Sequence, residues 1–258
     1  MAIHPTAIID PGAEVADDVE IGPYCIINAG VELGAGCHLH SHVVLSGPSK
    51  IGEGNIFYPH SCIGAQTQDL KYAGEPTYLE IGSHNVFREC VTVNRSDKAD
   101  EVTRIGNHGN FLAYSHIAHD CQVGDHVIFS NNGTLAGHVH VEDYVILGGL
   151  TAVHQFCRLG IGAITGGCSK IVQDIPPFMI ADGNPATIRG FNKIGLERRG
   201  CDKETIKAIA DAHRTLFRTG LNTSQAVEKL KAEGAGSVPE VAHLLTFIEG
   251  SDRGILRA

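Results

Sequence analysis

The sequence predicts a mainly β protein: a parallel β-helix of hexapeptide repeats followed by a C-terminal α-helical domain. Three observations predict it. Stepping by six from Ile9 to Ile171 lands on Ile, Val, Leu or Phe at 24 of 28 positions, whereas the phase one residue earlier holds only eight such residues. The period is therefore a property of one register and not of a generally apolar chain. Glycine recurs directly after the register residue, as in Ile21-Gly22, Leu33-Gly34, Ile105-Gly106 and Val123-Gly124, where a backbone must bend after a short strand. Beyond Pro176-Pro177 the period stops and helical patterns take over. A period of six fits neither an α-helix nor an alternating strand, but it fits short strands joined by bends around an enclosed core.

Residues 10 to 170 carry the repeat, which places a β-helix domain at 1–185 and a helical domain at 186–258. The repeat resembles the left-handed parallel β-helix of the hexapeptide-repeat acyltransferases, which implies three hexapeptides per triangular coil. Its handedness follows from that resemblance and runs against the usual right-handed crossover. On this geometry residues i and i+18 stack at about one strand spacing, ~4.8 Å. Cys25, Cys37, Cys121 and Cys157 share a small inward position and read as core packing.

The register has four exceptions: Asp69, Glu75, Ala99 and Thr165. Two carboxylates pointing into an apolar tube would be stranded, so residues 66–77 are expected to leave the coil as an extruded loop, and residues 95–101 around Ala99 as a second. Long loops in a compact solenoid are usually functional or disordered. Thr165 is small enough to remain in the register.

In the tail, Asp202 is placed to cap a helix whose apolar residues Ile206, Ile209, Ala210, Leu216 and Phe217 share one face and which ends before Gly220. Residues 223 to about 232 and 237 to about 249 read as two more helices. So small a domain is expected to pack on the β-helix or on a partner copy.

Composition excludes several classes. The chain has 29 acidic and 20 basic residues, a net charge of −9, so it is a poor general nucleic-acid binder. Residues 1–185 hold 8 basic and 20 acidic side chains but 186–258 hold 12 and 9, leaving a locally basic tail for an acidic partner. No run of eighteen apolar residues and no signal-peptide pattern occurs, so a cytoplasmic protein without a membrane segment is expected. The eight cysteines contain no C-x-x-C and read as free thiols in a reducing compartment.

Most of the fifteen histidines read as surface residues. His42 with His60 and His108 with His126 are 18 apart, and such stacked pairs offer a minor metal-binding reading beside the solvated one. The densest polar cluster is Tyr114-Ser-His-Ile-Ala-His-Asp-Cys121, followed one coil later by Asn131-Asn-Gly-Thr-Leu-Ala-Gly-His-Val139. The 18-residue step sets His138 above Asp120 and Gly137 above His119. An imidazole two positions after the inward Ile117 should face out of the tube. Base, carboxylate and glycine N–H together suit acyl transfer to a hydroxyl, which needs a near-neutral base and an oxyanion donor. A polar ladder pairing protomers is the competing reading.

The segments HIAHDC, NNGTLAGHV, GGLTAVHQFC, QDLKYAGEPT and FNKIGLERRG, in that order along nearly the whole chain, closely resemble the UDP-N-acetylglucosamine O-acyltransferases of lipid A biosynthesis. The resemblance implies transfer of a 3-hydroxyacyl group from acyl carrier protein to the sugar 3-hydroxyl, with no further cofactor or metal, by a homotrimer with sites between protomers. It implies that His119 is the general base, that Asp120 supports the ring and that the Gly137 N–H serves the oxyanion. His116, His138 and Gln155 match residues around the sugar and pantetheine, and Gln68, Asp69 and Lys71 match a loop reaching the neighbouring site. Asn192, Arg198 and Arg199 match the nucleotide end, where guanidinium groups suit phosphate. Gly167 matches the position that gauges acyl length, with Ile164 able to narrow the same groove.

Two positions depart from enterobacterial members: Asn94 stands where they have histidine, and Ile194 where they have glutamate near the ribose. Some relatives acylate a 3-amino sugar, so an N-linked product is an alternative. The later N-acyltransferase of the pathway carries an extra domain before its repeats, whereas here they begin by Ile9. The γ-type carbonic anhydrases place two zinc histidines five residues apart, a spacing absent here. A non-enzymatic β-helix would show regular threonine ladders in place of histidine clusters and extruded loops.

Overall fold

The computed structural model describes residues 2–258. Its β-strands form three sheets, parallel but for the hairpin that ends the first, and through the repeat their order steps along the chain three strands at a time, as a left-handed β-helix requires. The first sheet contains Glu20–Ile21 and His38–Leu39, the second Ile26–Ile27 and Val44–Leu45, and the third Val31–Leu33 and Ser49–Ile51. Each strand is short because a register residue points inward and the next residues turn the corner. Those corners put many non-glycine residues at positive φ, among them Tyr24, His42, Asp120 and His138.

Pairing between coils runs in steps of 18, as in Glu20 with His38 and His116 with Thr134. It lengthens at two places only where the register failed. Cys62 pairs with Thr92, 30 residues on, because residues 66–77 bulge out, and Thr92 pairs with His116, 24 residues on, because residues 95–101 do. Asp69 and Glu75 accordingly sit outside the tube, where Asp69 Oδ1 accepts from the Lys71 N–H at 2.8 Å and Glu75 Oε2 from the Ala73 N–H at 2.9 Å.

The register residues fill the tube. Phe57, Phe87 and Phe111 stack at 5.1 and 4.9 Å and Phe129 meets Phe111 edge-on, pairs worth about 0.5–1.5 kcal/mol each beyond area burial. Cys25, Cys37, Cys121 and Cys157 are buried, and the first three donate their thiols to carbonyls of the next coil. Burial pushes the Cys121 thiol up to about 12 and that of Cys157 up to about 11. Thr165 remains inward because its hydroxyl accepts from the Gly148 N–H and pairs with the Thr151 hydroxyl. The paired histidines lie ring against ring: His42 tilted by 33° on His60 at 4.9 Å, and His84, His108, His126 and Tyr144 stacked in one column at 4.9–5.2 Å.

The division expected at 185 falls inside a hairpin. Met179–Gly183 extends the first sheet and pairs antiparallel with Ala186–Phe191, so the helical region begins only at Lys193. There α1 (Lys193–Arg198) is an element the sequence reading missed, too short to show a period. α2 (Lys203–Arg218) is capped by Asp202, α3 (Thr223–Ala232) by an Asn222–Gln225 capping box, and α4 runs Pro239–Glu249. Residues 235–237 form a separate 3-10 turn, and Pro239, which suits a first helical turn, sets the start of α4.

The helical domain packs on its own β-helix. Buried Asp174 accepts from the Arg158 N–H and the Ser251 hydroxyl, and its carbonyl accepts from the Leu256 N–H. Arg158 stacks on Phe247 at 4.1 Å and donates to Gly250 O at 2.8 Å, while His243 meets Glu142 at 2.8 Å. Among the described residues no helix is long and apolar enough to cross a membrane.

Candidate active site

The corner between the second and third sheets carries Asp120, His138 and Phe156 one above another, at φ 60°, 60° and 65°. This left-handed backbone is uncommon outside glycine and turns each side chain outward from the tube. Both extruded loops leave from the same corner in lower coils. The predicted cluster and the predicted loops therefore converge on one place.

His119 Nδ1–H donates to Asp120 Oδ2 at 2.7 Å, and Asp120 is anchored by its own N–H to Thr103 Oγ1 at 2.8 Å. The second loop covers this edge. Ser96 donates its hydroxyl to Asp120 Oδ1, the Asp97 N–H donates to Asp120 Oδ2 at 3.2 Å, and Asp97 Oδ2 lies 3.6 Å from His119 Nδ1. The His119 side chain is outside the tube as expected but only 14% exposed.

The hydrogen bond from Asp120 outweighs burial and, with Asp97, Asp120 and Asp69 nearby, raises the His119 pKa above the ordinary imidazole value. Burial opposes ionisation of Asp120, yet bonds from His119, Ser96 and Asp97 hold its carboxyl far below the usual range. His116, hydrogen-bonded to Thr92 at 2.7 Å, is shifted down by burial and by neighbouring His119. The site thus pairs a strengthened base with a fixed anion.

Gly137 stands above His119 as the 18-residue step requires. A β-carbon there would lie 2.5 Å from both Cε1 and Nε2 of the ring, so only glycine lets the imidazole rest against the backbone. The Gly137 N–H finds no acceptor among the described residues. His138 follows, with Nε2 3.9 Å from Asp120 Oδ2 and its ring stacked on Phe156 at 4.7 Å. Gln155, one coil above Gly137, is exposed. Asp97, His119, Asp120 and His138 offer four ligand atoms within 4.8 Å. The 2.7 Å separation is that of a hydrogen bond and is shorter than the roughly 3.3 Å between two ligands of a tetrahedral ion, so a cation would have to displace the dyad proton.

The remaining expected residues are spread out. Gln68 and Lys71 are exposed on the first loop with Asp69 between them, and Leu70 at its tip is fully exposed. Gly167 lies exposed at the corner between the first and second sheets, and Ile164 points outward from the first sheet beside Ile146. Asn192, Arg198 and Arg199 are not brought to His119 within the chain but sit by the opposite edge of the third sheet. Arg199 stacks on Tyr144 at 4.8 Å, and Arg198 is exposed in the last turn of α1. Asn192 is buried, capping α1 through Gly195 N and donating to Gly162 O at 2.9 Å, so its amide is occupied within the fold. Asn94 is also buried, its amide donating to Gln66 O at 2.9 Å at the base of the first loop, and Ile194 is exposed.

Sequence reasoning missed Ser96, Asp97, Thr92 and Thr103, all below the dyad. The signal for the first two was the second loop itself, since an insertion at the dyad's own corner must lie over that corner. A groove of about 780 Å³ runs along the third sheet past Lys50, Arg104, His140 and His243 and does not include His119, whereas a cleft of about 450 Å³ reaches the dyad's corner through His138 and Phe156. We place the chemistry at the dyad, where a base, its buried anion and the unpaired Gly137 N–H meet.

Comparison with known proteins agrees with this geometry. Residues 2–35 match the bacterial transferase hexapeptide model and residues 174–256 match domain 2 of the UDP-N-acetylglucosamine O-acyltransferases. The chain is 52% identical over 256 residues to the acyl-(acyl-carrier-protein) UDP-N-acetylglucosamine O-acyltransferase of Thiobacillus denitrificans, covering 99% of each chain, and 50% identical to that of Stutzerimonas stutzeri, again covering 99% of each. Among solved structures it resembles LpxA from Acinetobacter baumannii with a TM-score of 0.96 at 46% identity, and the UDP-N-acetylglucosamine O-acyltransferase from Moraxella catarrhalis with 0.94 at 46%, covering 100% of each chain in both cases. With the His119–Asp120 dyad, the Gly137 backbone and the two extruded loops in place along a full-length match, the chain belongs to the UDP-N-acetylglucosamine O-acyltransferase family.

Proposed function

We propose that the protein transfers a 3-hydroxyacyl chain from acyl carrier protein to the 3-hydroxyl of UDP-N-acetylglucosamine, the opening step of lipid A biosynthesis. The observation that carries this is the dyad: His119 commits Nδ1 to Asp120, leaving Nε2 beside the Gly137 backbone. Nε2 takes the proton of the acceptor hydroxyl as its oxygen attacks the thioester carbonyl. The Gly137 N–H donates to the oxyanion, and collapse breaks the C–S bond as the imidazolium returns its proton to the leaving pantetheine sulfur. His116, His138 and Gln155 line the approach to that centre.

The same proposal makes the working unit a homotrimer. The first sheet presents Ile56, Val86, Ile128 and Ile146 outward and the second Val44, Thr92, Thr134 and Ala152, whereas the third presents Lys50, Glu80, Arg104 and Arg158. Packing the first face of one copy on the second face of the next closes a ring, a heterologous contact that leaves the charged face to water. It also sets the dyad corner of one protomer beside Arg198 and Arg199 of the next, where nucleotide phosphates are bound, and gives fully exposed Leu70 a neighbour to enter. The acyl chain then lies between the two faces, with Gly167 and Ile164 at its far end. The basic tail receives the acidic carrier protein, and the free thiols suit a cytosolic enzyme.

The test is an assay pairing UDP-N-acetylglucosamine and its 3-amino analogue with hydroxyacyl carrier proteins of graded length. Transfer to the hydroxyl sugar is expected, and acylation of the amino analogue alone would replace this acceptor.

A further inference from the structure

We propose that Asp97, on the second extruded loop, is a positioning residue for the catalytic imidazole: a second carboxylate that joins Asp120 at the Nδ1 edge of His119 and stabilises the imidazolium formed during transfer. The inference rests on the reading of His119 as general base.

Two carboxylates converge on one ring nitrogen, Asp120 Oδ2 at 2.7 Å and Asp97 Oδ2 at 3.6 Å. Asp97 does not arrive by accident of a loose loop. Its own N–H donates to Asp120, and the Ser96 hydroxyl beside it does the same, so the loop is tied to the dyad through two donors. The Asp97 side chain is 13% exposed, and its Oδ1 is buried with no hydrogen-bond partner among the described residues. A carboxylate oxygen left unpaired in a low-dielectric setting is costly unless a cation is formed beside it. His119 becomes that cation once per turnover.

The groups facing His119 are Asp120 from its own corner, Asp97 from the second loop, Asp69 from the first loop, His138 from the coil above and His116 from the preceding strand. The two histidines oppose a positive charge on His119 and the three carboxylates favour it. Burial and adjacent Asp120 raise the pKa of Asp97 and so disfavour its anion, whereas a charged His119 lowers it, so the anion gains its counter-charge when His119 takes its proton. Because Asp97 lies at Nδ1 and substrate approaches Nε2, it acts through the ring and not on the reacting atoms.

The experiment is the pH dependence of kcat/KM for the full-length enzyme, wild type against Asp97→Asn and Asp97→Glu. Only neutral His119 is a base, so a carboxylate that favours the imidazolium holds the acid limb at higher pH. Asp97→Asn keeps the shape and removes the charge. Its acid-limb midpoint should fall by about one unit and its plateau by about threefold, as a weaker base predicts, while Asp97→Glu should return the midpoint toward wild type. An unchanged midpoint in Asp97→Asn, with His119→Ala inactive, overturns the inference, whereas an active His119→Ala overturns the base reading beneath it. Should Asp97→Asn unfold, histidine-ring NMR titration of wild type against Asp97→Ser, with His119 assigned by His119→Gln, decides: a His119 midpoint lower in Asp97→Ser supports the role and an equal one overturns it.

Discussion

A β-carbon on Gly137 would meet His119 at 2.5 Å from two ring atoms, so the imidazole lies directly on the backbone of the coil above it. The contact is at Cε1 and Nε2, while Asp120 holds the ring at Nδ1. Gly137→Ala should therefore displace the ring and fill the oxyanion position. A misplacement near 1 Å costs about a hundredfold, so kcat should fall by that order. The melting midpoint should stay near wild type, because the clash lies outside the tube. Full turnover with an unaltered fold would remove Gly137 from the mechanism.

His119→Ala should lower kcat by at least roughly a hundredfold, the low end for loss of a general base. The ring contributes nothing to the tube's interior, so circular dichroism and solution mass, measured on the same preparation, should not change. Near-normal turnover would return His119 to a structural role.

At Gly167 an added β-carbon would meet only Gly149 O, at 3.4 Å, so a longer side chain is tolerated by the fold and directed away from the core. Each methylene buried in the acyl groove favours binding by about 0.8 kcal/mol. Wild type should thus prefer long hydroxyacyl chains, and Gly167→Met should reverse that order in competition between mixed carrier-protein donors. An unchanged preference would shift attention to Ile164, one strand residue before the same corner.

Arg198 and Arg199 should separate. Arg198 is exposed, so Arg198→Ala should raise KM for the nucleotide sugar without altering the melting curve. Arg199 stacks on Tyr144 at 4.8 Å and Phe178 at 5.7 Å, contacts worth about 0.5–1 kcal/mol each at an exposed site. Arg199→Ala should raise KM and also lower thermal stability. Equal melting of the two variants would show that the stack contributes nothing.

The hexapeptide register by itself determined the β-helix, the inward cysteines and the sites of both extruded loops, because an enclosed tube rejects any residue that cannot be buried and so marks its own interruptions. It also determined that His119 meets Gly137 and that Asp120 meets His138, since within an uninterrupted run the chain can stack only at multiples of one coil. The helical cap at Asp202 was likewise legible, since a side chain three residues from its partner needs no tertiary contact to find it.

Only the tertiary structure decided what crosses an interruption. Thr92 meets His116 after 24 residues, and Cys62 meets Thr92 after 30, so no fixed step leads from Ser96 or Asp97 to Asp120. It likewise turned Asn192 inward as a cap, set Arg199 on an aromatic stack and laid a hairpin across residue 185, so that helices begin only at Lys193. Periodicity propagates position only while the covalent path per coil is constant, and once a loop leaves the tube its residues are located by the contacts they make on return, which at this corner are the two bonds to Asp120.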